Sequence, residues 1–190
     1  DVASAYAIAE VLRQVPNARM RIIGKGTLEN RFRQIFIKYG CQDRVEWLGW
    51  LKLEELREFY RSLDLVLAPV ITDTFGSGSV HAIVSGRPVL GARTGALPEI
   101  LRSPDALTPP LGIIPSGLRF TLSQEPLKTK GRDESTNLDS PVAFGQQAAA
   151  LLKNSDLHRA VHQIQLKNAL ANFTVERMVE RYESLFSATV

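Results

Sequence analysis

The residues best suited to chemistry in this chain lie between Thr72 and Glu99, a stretch rich in glycine, serine and threonine. It follows the apolar run Leu63 to Pro69, which is typical of a strand buried on both faces. A strand, a Gly/Ser turn and a helix N-terminus in this order can hold an anion, because backbone N–H groups point outward and the helix dipole favours negative charge. The sequence therefore predicts a phosphate pocket at Gly76, Ser77 and Gly78.

Short apolar strands alternate with amphipathic helices along the first half of the chain. This alternation predicts an α/β fold, with a doubly wound, mostly parallel sheet and right-handed crossovers. Ligands bind at the carboxyl ends of the strands in such sheets. Three loops fall at those ends, namely Gly24-Lys25-Gly26, Gly49-Trp50 and Thr72 to Gly78. We therefore expect them to lie on one rim of the sheet.

The length of 190 residues predicts one domain over residues 1–190, with helices in its C-terminal part, 141–190. The polar and charged segment 123–140 predicts an irregular surface insertion. The last helix carries an apolar stripe at helical spacing, which we expect to be core: Val175, Met178, Val179, Tyr182 and Leu185. Because the chain begins with Asp1 and not with Met, we expect it to be a fragment of a longer protein.

The composition and charge of the chain argue against nucleic-acid binding and against cysteine-based sites. The net charge of +3 and the pI of about 9.2 are mild, and the basic residues are interspersed with acidic ones. Because no basic stripe with interleaved aromatics is present, nucleic acid is not the expected partner. The lone cysteine, Cys41, excludes an internal disulfide and a cysteine-based zinc site.

Several of these sequence features also allow a purely structural interpretation. Lys25 either contacts a diphosphate or lies in a solvated turn. The loop does not match the Gly-x-Gly-x-x-Gly fingerprint of a Rossmann oxidoreductase, because Glu29 stands at the position of the third glycine. His158 and His162 have the i, i+4 spacing of a metal pair, but a solvated helix face is the better interpretation because no glutamate completes the pattern.

A series of motifs recurs in a specific order along most of the chain. They are Gly-Lys-Gly after a strand, Val-Glu-Trp-Leu-Gly-Trp-Leu, Asp-Leu-Val-Leu-Ala-Pro, Asp-Thr-Phe-Gly, Ser-Gly-Arg-Pro-Val-Leu, Gly-Ala-Leu-Pro-Glu-Ile and Phe-Thr-Val-Glu-Arg-Met-Val-Glu-Arg-Tyr. In this the chain resembles the C-terminal, donor-binding domain of GT-B fold glycosyltransferases of family 4, also called glycosyltransferase group 1. The resemblance covers the chain except for roughly residues 102–140.

The resemblance implies a retaining enzyme that transfers a sugar from a nucleotide-sugar donor, UDP- or GDP-linked, to an acceptor. It implies no metal ion and no cofactor besides that substrate. The donor would lie between this domain and a missing N-terminal domain of the same protein, which would bind the acceptor. The expected location is cytoplasmic, with contact to a membrane through the missing half left open.

The family's hallmark is a pair of glutamates, separated by seven intervening residues, around Phe-Gly. The matching residues here are Asp73 and His81. The resemblance assigns Asp73 to the donor sugar as the catalytic residue and His81 to the ribose. Asp73 keeps the carboxylate with a shorter reach, whereas neutral His81 offers one donor and one acceptor in place of a carboxylate. A degenerate, non-catalytic domain that binds nucleotide sugars or a partner is therefore the alternative.

The remaining donor-binding residues are expected on the three loops. The backbone of Gly76, Ser77 and Gly78 would face the diphosphate, and Lys25 would add positive charge near it. Trp50 and Leu51 would form an apolar wall for the nucleobase. The full predicted donor set is Gly24, Lys25, Gly26, Trp50, Leu51, Asp73, Phe75, Gly76, Ser77, Gly78 and His81.

Overall fold

A computed structural model describes residues 2–70, 75–92, 95–101 and 141–188. Asp73 and the predicted insertion at 123–140 lie outside the described residues, so both stay predictions. Within the described part no helix is long and apolar enough to cross a membrane.

Helices and short strands alternate as the sequence predicts. The elements in chain order are α1 (Val2–Gln14), β1 (Met20–Ile23), α2 (Glu29–Lys38), a 3-10 turn (Gln42–Arg44), β2 (Val45–Gly49), α3 (Leu53–Arg61), β3 (Val66–Ala68), α4 (Ser77–Val84), β4 (Val89–Gly91), α5 (Leu97–Leu101), α6 (Pro141–Lys153), α7 (Ser155–Asn172) and α8 (Val175–Ser187).

Local chemistry explains where several helices begin and end. The side chain of Asn154 accepts hydrogen bonds from the N–H groups of Asp156 and Leu157, which caps the start of α7. Thr174 caps α8 in the same way, through the N–H of Arg177. Gly40 follows α2 with a φ of +63°, a conformation in which glycine ends helices without strain.

The strands are parallel, which confirms the predicted α/β class. β1 pairs with β2, with Met20 opposite Val45, and β3 pairs with β4, with Val66 opposite Val89. The described residues form two separate two-stranded sheets, however, and not the single sheet that the alternation predicts.

Helices cover both faces of the strands. α1 packs against α2 and α6 on one face, and α4 packs against α3, α5 and α7 on the other. Side chains of β3 alternate between the two faces, as the apolar run predicts. Leu67 joins clusters built on α1, whereas Val66 and Ala68 join the cluster built on α3, α4 and α5. The strand is nevertheless only half-buried and shorter than Leu63 to Pro69.

Helix α7 is fastened to the strands by buried polar side chains. The amide of Gln165 bonds both the N–H and the C=O of Val89, at 2.9 and 2.7 Å, and so acts like a neighbouring strand. The Nε2 atoms of His158 and His162 lie 2.7 and 3.0 Å from the carbonyl oxygens of Asp64 and Ile83. The prediction of a solvated histidine face was therefore wrong, since both rings tie α7 to neighbouring backbone.

The structure contradicts the prediction that the apolar stripe of α8 is core. Its stripe is exposed, with Met178 at 52% and Leu185 at 64% of the accessible surface, and none of the residues of α8 is buried. The stripe was predicted to be core because its spacing is that of a buried helix face. Spacing shows that a face is apolar, but the tertiary structure decides whether anything packs on it.

Candidate functional site

Two of the three predicted loops touch each other. The N–H of Gly24, just after β1, donates to the carbonyl of Gly49 at the end of β2, at 2.6 Å. Both glycines have positive φ, +98° and +69°, which lets the chain turn sharply off each strand. A Cβ placed on Gly49 would lie 3.2 Å from Cε of Lys25, so the stem of Lys25 crosses over the second loop. Lys25 and Gly26 are both exposed, which leaves the ammonium group available to an anion.

The residues after Gly49 divide into an exposed and a buried part. Trp50 is 75% exposed, so its indole offers an aromatic surface to solvent. Leu51 is half-buried in the cluster that also contains Val70, at the end of the β3 segment, and Val80 of α4. This apolar cluster therefore links the Trp50 loop to the start of α4.

The third predicted loop leads into the N-terminus of α4. Gly76 caps the helix in the left-handed conformation, with a φ of +74°, and its carbonyl accepts from the N–H of Ser79 at 2.9 Å and of Val80 at 3.2 Å. Ser77 and Gly78 are exposed and occupy the first turn, where N–H groups have no acceptor within the helix. Free first-turn N–H groups at a helix start can bind an anion, and the predicted phosphate contact of Gly76, Ser77 and Gly78 stays a prediction.

His81 lies one turn further along α4 and is exposed. Since residues four apart lie on the same helix face, His81 and Ser77 are neighbours on the surface. Phe75 points elsewhere: its ring packs edge-on against Phe173, with centroids 6.0 Å apart, at the junction of α7 and α8. This contact positions the turn, and the ring of Phe75 is still 52% exposed.

The sequence analysis missed Tyr60 of α3. A Cβ placed on Gly78 would lie 3.5 Å from the Tyr60 hydroxyl, so the phenol lies directly beneath the turn. Burial raises the pKa of Tyr60, which keeps the hydroxyl protonated as a hydrogen-bond donor. The apolar face of α3 hides this residue from sequence reasoning, because a tyrosine on that face is expected as core.

A groove of about 790 Å³ runs between β1 and β3 and reaches the start of α4. Its upper end is lined by the turn Gly76 to Ser79 and by Tyr60, and its walls include Ile23 of β1 and Ala68 of β3. Lys25 and Trp50 are not part of the groove wall. The structure thus joins the Gly24 and Gly49 loops directly, and connects them to the α4 turn through Leu51.

Comparison with known proteins assigns the family. The model of the family described as glycosyl transferases group 1 matches residues 4–111, more than half of the chain. The chain belongs to this family.

Relatives with known names are longer proteins. D-inositol 3-phosphate glycosyltransferase of Corynebacterium efficiens is 26% identical over 155 residues, which cover 78% of this chain and 34% of the relative. N-acetyl-alpha-D-glucosaminyl L-malate synthase of Bacillus anthracis is 24% identical over 186 residues, 98% of this chain and 41% of the relative. The chain therefore spans about a third of the first relative and about two-fifths of the second.

Solved structures share the fold. The C-terminal domain of a glycosyl transferase group 1 family protein (LpcC) from Francisella tularensis superposes with a TM-score of 0.66 at 18% identity, covering 92% of this chain and 79% of that one. The Anabaena HepE protein in complex with UDP and glucose gives 0.66 at 14% identity, covering 94% of this chain and 44% of that one. The chain therefore has the fold of one half of the GT-B glycosyltransferases.

Proposed function

We propose that this chain is the donor-binding half of a retaining glycosyltransferase, which transfers a sugar from UDP or GDP to an acceptor held by another domain. The single observation that carries the proposal is the exposed first turn of α4, Ser77 and Gly78, which follows left-handed Gly76. Membership of the glycosyl transferases group 1 family gives this turn its chemical context. A structural neighbour that binds UDP supports the choice of ligand.

In this proposal the backbone holds the diphosphate. The N–H groups of Ser77 and Gly78 and the dipole of α4 would stabilise negative charge on the departing nucleotide. Loss of one such donor typically raises a barrier by about 3 kcal/mol. Lys25 would add a mobile positive charge from the neighbouring loop, and Tyr60 would support the turn from below.

Side chains would orient the rest of the donor. Asp73 would bind hydroxyls of the sugar, an assignment that rests on the resemblance because this residue lies outside the described part. His81 would contact the ribose from the exposed face of α4, one turn beyond Ser77. The exposed indole of Trp50 and the half-buried Leu51 would provide the surface for the nucleobase.

Calorimetric titration of the chain with UDP, GDP and ADP tests the binding. We expect heat of binding with UDP or GDP, and no heat with any of the three at millimolar concentration would contradict the proposal. The matched pair Gly76→Ala and Gly86→Ala locates the site, because both glycines flank α4 with positive φ, +74° and +93°. Alanine strains the backbone at either position.

We expect Gly76→Ala to weaken nucleotide binding at least about tenfold, a loss of 1.4 kcal/mol, because it distorts the turn that presents the Ser77 and Gly78 amides. Gly86→Ala, at the other end of the helix, should lower the melting temperature while leaving affinity unchanged. Equal affinities for the two variants would place the nucleotide elsewhere.

A second candidate is a nucleotide-sugar-binding domain without turnover. It is favoured by His81, which stands where the resemblance implies a glutamate. The variant His81→Glu in a protein that carries the acceptor-binding half distinguishes the two functions. Transferase activity that appears only with glutamate supports the non-catalytic domain, whereas activity of the histidine form that is equal or higher supports the enzyme.

A further inference from the structure

The hydroxyl of Tyr60 is a buried polar group that the described part of the fold leaves without a hydrogen bond. Tyr60 lies on α3 and is only 6% exposed. Its ring packs in the apolar cluster of α3, α4 and α5, edge-on to Phe59, with ring centroids 5.6 Å apart. Among the residues that the structure describes, none donates a hydrogen bond to the hydroxyl or accepts one from it. A buried hydroxyl usually has a partner, because leaving it without one costs free energy.

The hydroxyl lies at the start of α4, on the side of the free backbone N–H groups. A Cβ built on Gly78 would lie 3.5 Å from the hydroxyl oxygen. Because the Cα–Cβ bonds of a helix tilt toward its N-terminus, this contact places the hydroxyl toward the end at which Ser77 and Gly78 present their N–H groups. Tyr60 and the turn Gly76 to Ser79 line the same part of the groove. The phenol and the first turn of α4 therefore face a common space.

Gly78 leaves the hydroxyl uncovered. Of the atoms that the structure describes, only the Tyr60 hydroxyl lies within 4 Å of the Cβ position of Gly78. Gly78 is a helical residue and is not among the glycines with positive φ, so its backbone does not require glycine. Helix propensity alone would favour alanine there. The missing side chain instead keeps a path open between the hydroxyl and the groove.

The chemistry of the hydroxyl favours an anion as its partner. Burial raises the pKa of Tyr60, so the phenol keeps its proton and can donate it in a hydrogen bond. The neighbouring groups of the first turn are also donors, and the helix dipole favours negative charge at this end. A set made only of donors matches a ligand with several acceptor oxygens close together, as a phosphate group has.

We propose that the Tyr60 hydroxyl donates a hydrogen bond to a phosphate oxygen of the bound nucleotide, beside the N–H groups of Ser77 and Gly78. This inference rests on the proposed function and adds to it a side-chain donor that the backbone of the turn does not supply. The ring of Tyr60 supports the turn, whereas its hydroxyl serves the ligand. A fixed donor at this place stabilises the negative charge that the nucleotide gains when it leaves the sugar.

Removal of the hydroxyl separates a role in binding from a role in the fold. Tyr60→Phe keeps the ring and removes the hydroxyl alone. Calorimetry measures the affinity for UDP, GDP and inorganic pyrophosphate, and thermal unfolding without ligand measures stability. Tyr182→Phe is the matched control, because Tyr182 carries the same hydroxyl on the exposed surface of α8 and is not part of the groove wall.

We expect Tyr60→Phe to weaken the binding of pyrophosphate and of UDP or GDP by about tenfold, the usual effect of losing a hydrogen bond to a charged group. The melting temperature without ligand should stay the same or rise, because the variant loses a buried group that had no partner in the described fold. Tyr182→Phe should change neither quantity. Unchanged affinity in Tyr60→Phe would overturn the inference. A lower melting temperature would also overturn it, since the hydroxyl would then serve the fold.

The variant Gly78→Ala tests the same contact from the other side. It places a methyl group 3.5 Å from the hydroxyl oxygen, an ordinary van der Waals distance, so the fold should persist. We expect a loss of affinity similar to that of Tyr60→Phe, because the methyl group covers the hydroxyl. The double variant should lose little more than either single variant, since both changes remove one contact. Additive losses would contradict the inference, because the two positions would then act independently.

The choice of ligands distinguishes a failure of this inference from a failure of the proposed function. If the native chain binds neither a nucleotide nor pyrophosphate, both are wrong. If it binds UDP or GDP with an affinity that Tyr60→Phe leaves unchanged, only the contact of Tyr60 with the phosphate is wrong. Binding of pyrophosphate alone, weakened in Tyr60→Phe, would support the hydroxyl as a donor to the anion and contradict the nucleotide as the ligand.

Discussion

At the scale of single residues, the side chain of Gln165 makes the backbone hydrogen bonds that a neighbouring strand would make. Gln165 is fully buried and satisfies both the N–H and the C=O of Val89, on the edge of β4 away from β3. A buried backbone group without a partner is costly, so this side chain closes the edge of the sheet. The position of Gln165 on an amphipathic helix does not by itself predict that its side chain pairs with a strand.

We expect Gln165→Leu to lower the free energy of unfolding by about 2–4 kcal/mol, because it leaves two buried backbone groups unpaired while keeping similar volume. Gln163→Leu is the control, since Gln163 is exposed on the same helix and should change little. Urea unfolding followed by circular dichroism measures both. Equal losses would mean that the amide of Gln165 contributes nothing specific.

Glu10 is a buried carboxylate whose charge is compensated locally. Burial by itself raises its pKa, but hydrogen bonds from Arg13 and Gln14, at 2.6 and 2.8 Å, and the charge of Arg13 outweigh this, and the pKa is lowered below its usual 4.5. A carboxyl group with a lowered folded-state pKa stabilises the fold above its unfolded-state value. That stabilisation is lost as the pH falls below about 4.5 and through the folded-state value.

Glu10→Gln should therefore be less stable than the native chain at pH 7, and the difference should shrink as the pH is lowered below 4.5. Glu180→Gln is the control, because Glu180 pairs with Arg177 at the same spacing but on an exposed surface, where such pairs contribute little. Unfolding titrations across this pH range test the prediction. A difference that stays constant with pH would show that packing, and not charge, makes Glu10 important.

At the scale of elements, the contact between α1 and α6 depends on a glycine. A Cβ at Gly145 would lie 2.9 Å from Cγ and 3.1 Å from the carbonyl carbon of Glu10, and 3.0 Å from Nε2 of Gln14. Helix propensity alone would favour alanine there by about 1 kcal/mol. The close approach of the two helices reverses that preference.

We expect Gly145→Ala to destabilise the protein by about 1–3 kcal/mol, since α6 must move away from α1 to accommodate the methyl group. Gln146→Ala, an exposed position on the same helix, should be neutral within about 0.5 kcal/mol. Thermal unfolding of the two variants compares them directly. A more stable Gly145→Ala protein would show that the helices do not pack this closely.

At the scale of the whole molecule, large apolar side chains are buried between the helical layers but exposed on α8. The interior between the helical layers is dense, with Leu90, Leu97 and Leu101 almost completely buried. Helix α8 instead presents its apolar stripe to solvent, including Met178 and Leu185. Apolar side chains of similar size thus lie in opposite environments in the two places.

A leucine-to-alanine substitution at one buried and at one exposed position tests this difference directly. Leu101→Ala should cost about 2–5 kcal/mol, as truncation of a buried leucine does. Leu185→Ala should change the free energy of unfolding by less than about 0.5 kcal/mol, because its side chain is exposed. A large loss at Leu185 would mean that α8 packs on the core in solution.

The sequence determined the local elements and their order. Alternating apolar strands and helices predicted the α/β class, and glycines placed after strands predicted the turns at Gly24, Gly49 and Gly76. These features depend on side-chain periodicity and on backbone conformations available to few residues, both of which are local properties. The motif order also pointed to the glycosyltransferase family to which the chain belongs.

Tertiary structure alone decided which surfaces meet. It directed Phe75 toward Phe173, placed Tyr60 beneath Gly78, left α8 exposed and divided the strands into two pairs around a groove. None of this follows from local pattern, because an apolar face or a strand edge has the same sequence signature whether or not a partner covers it. The partner is set by contacts between residues far apart in the chain, whose energies depend on geometry that only the folded molecule has.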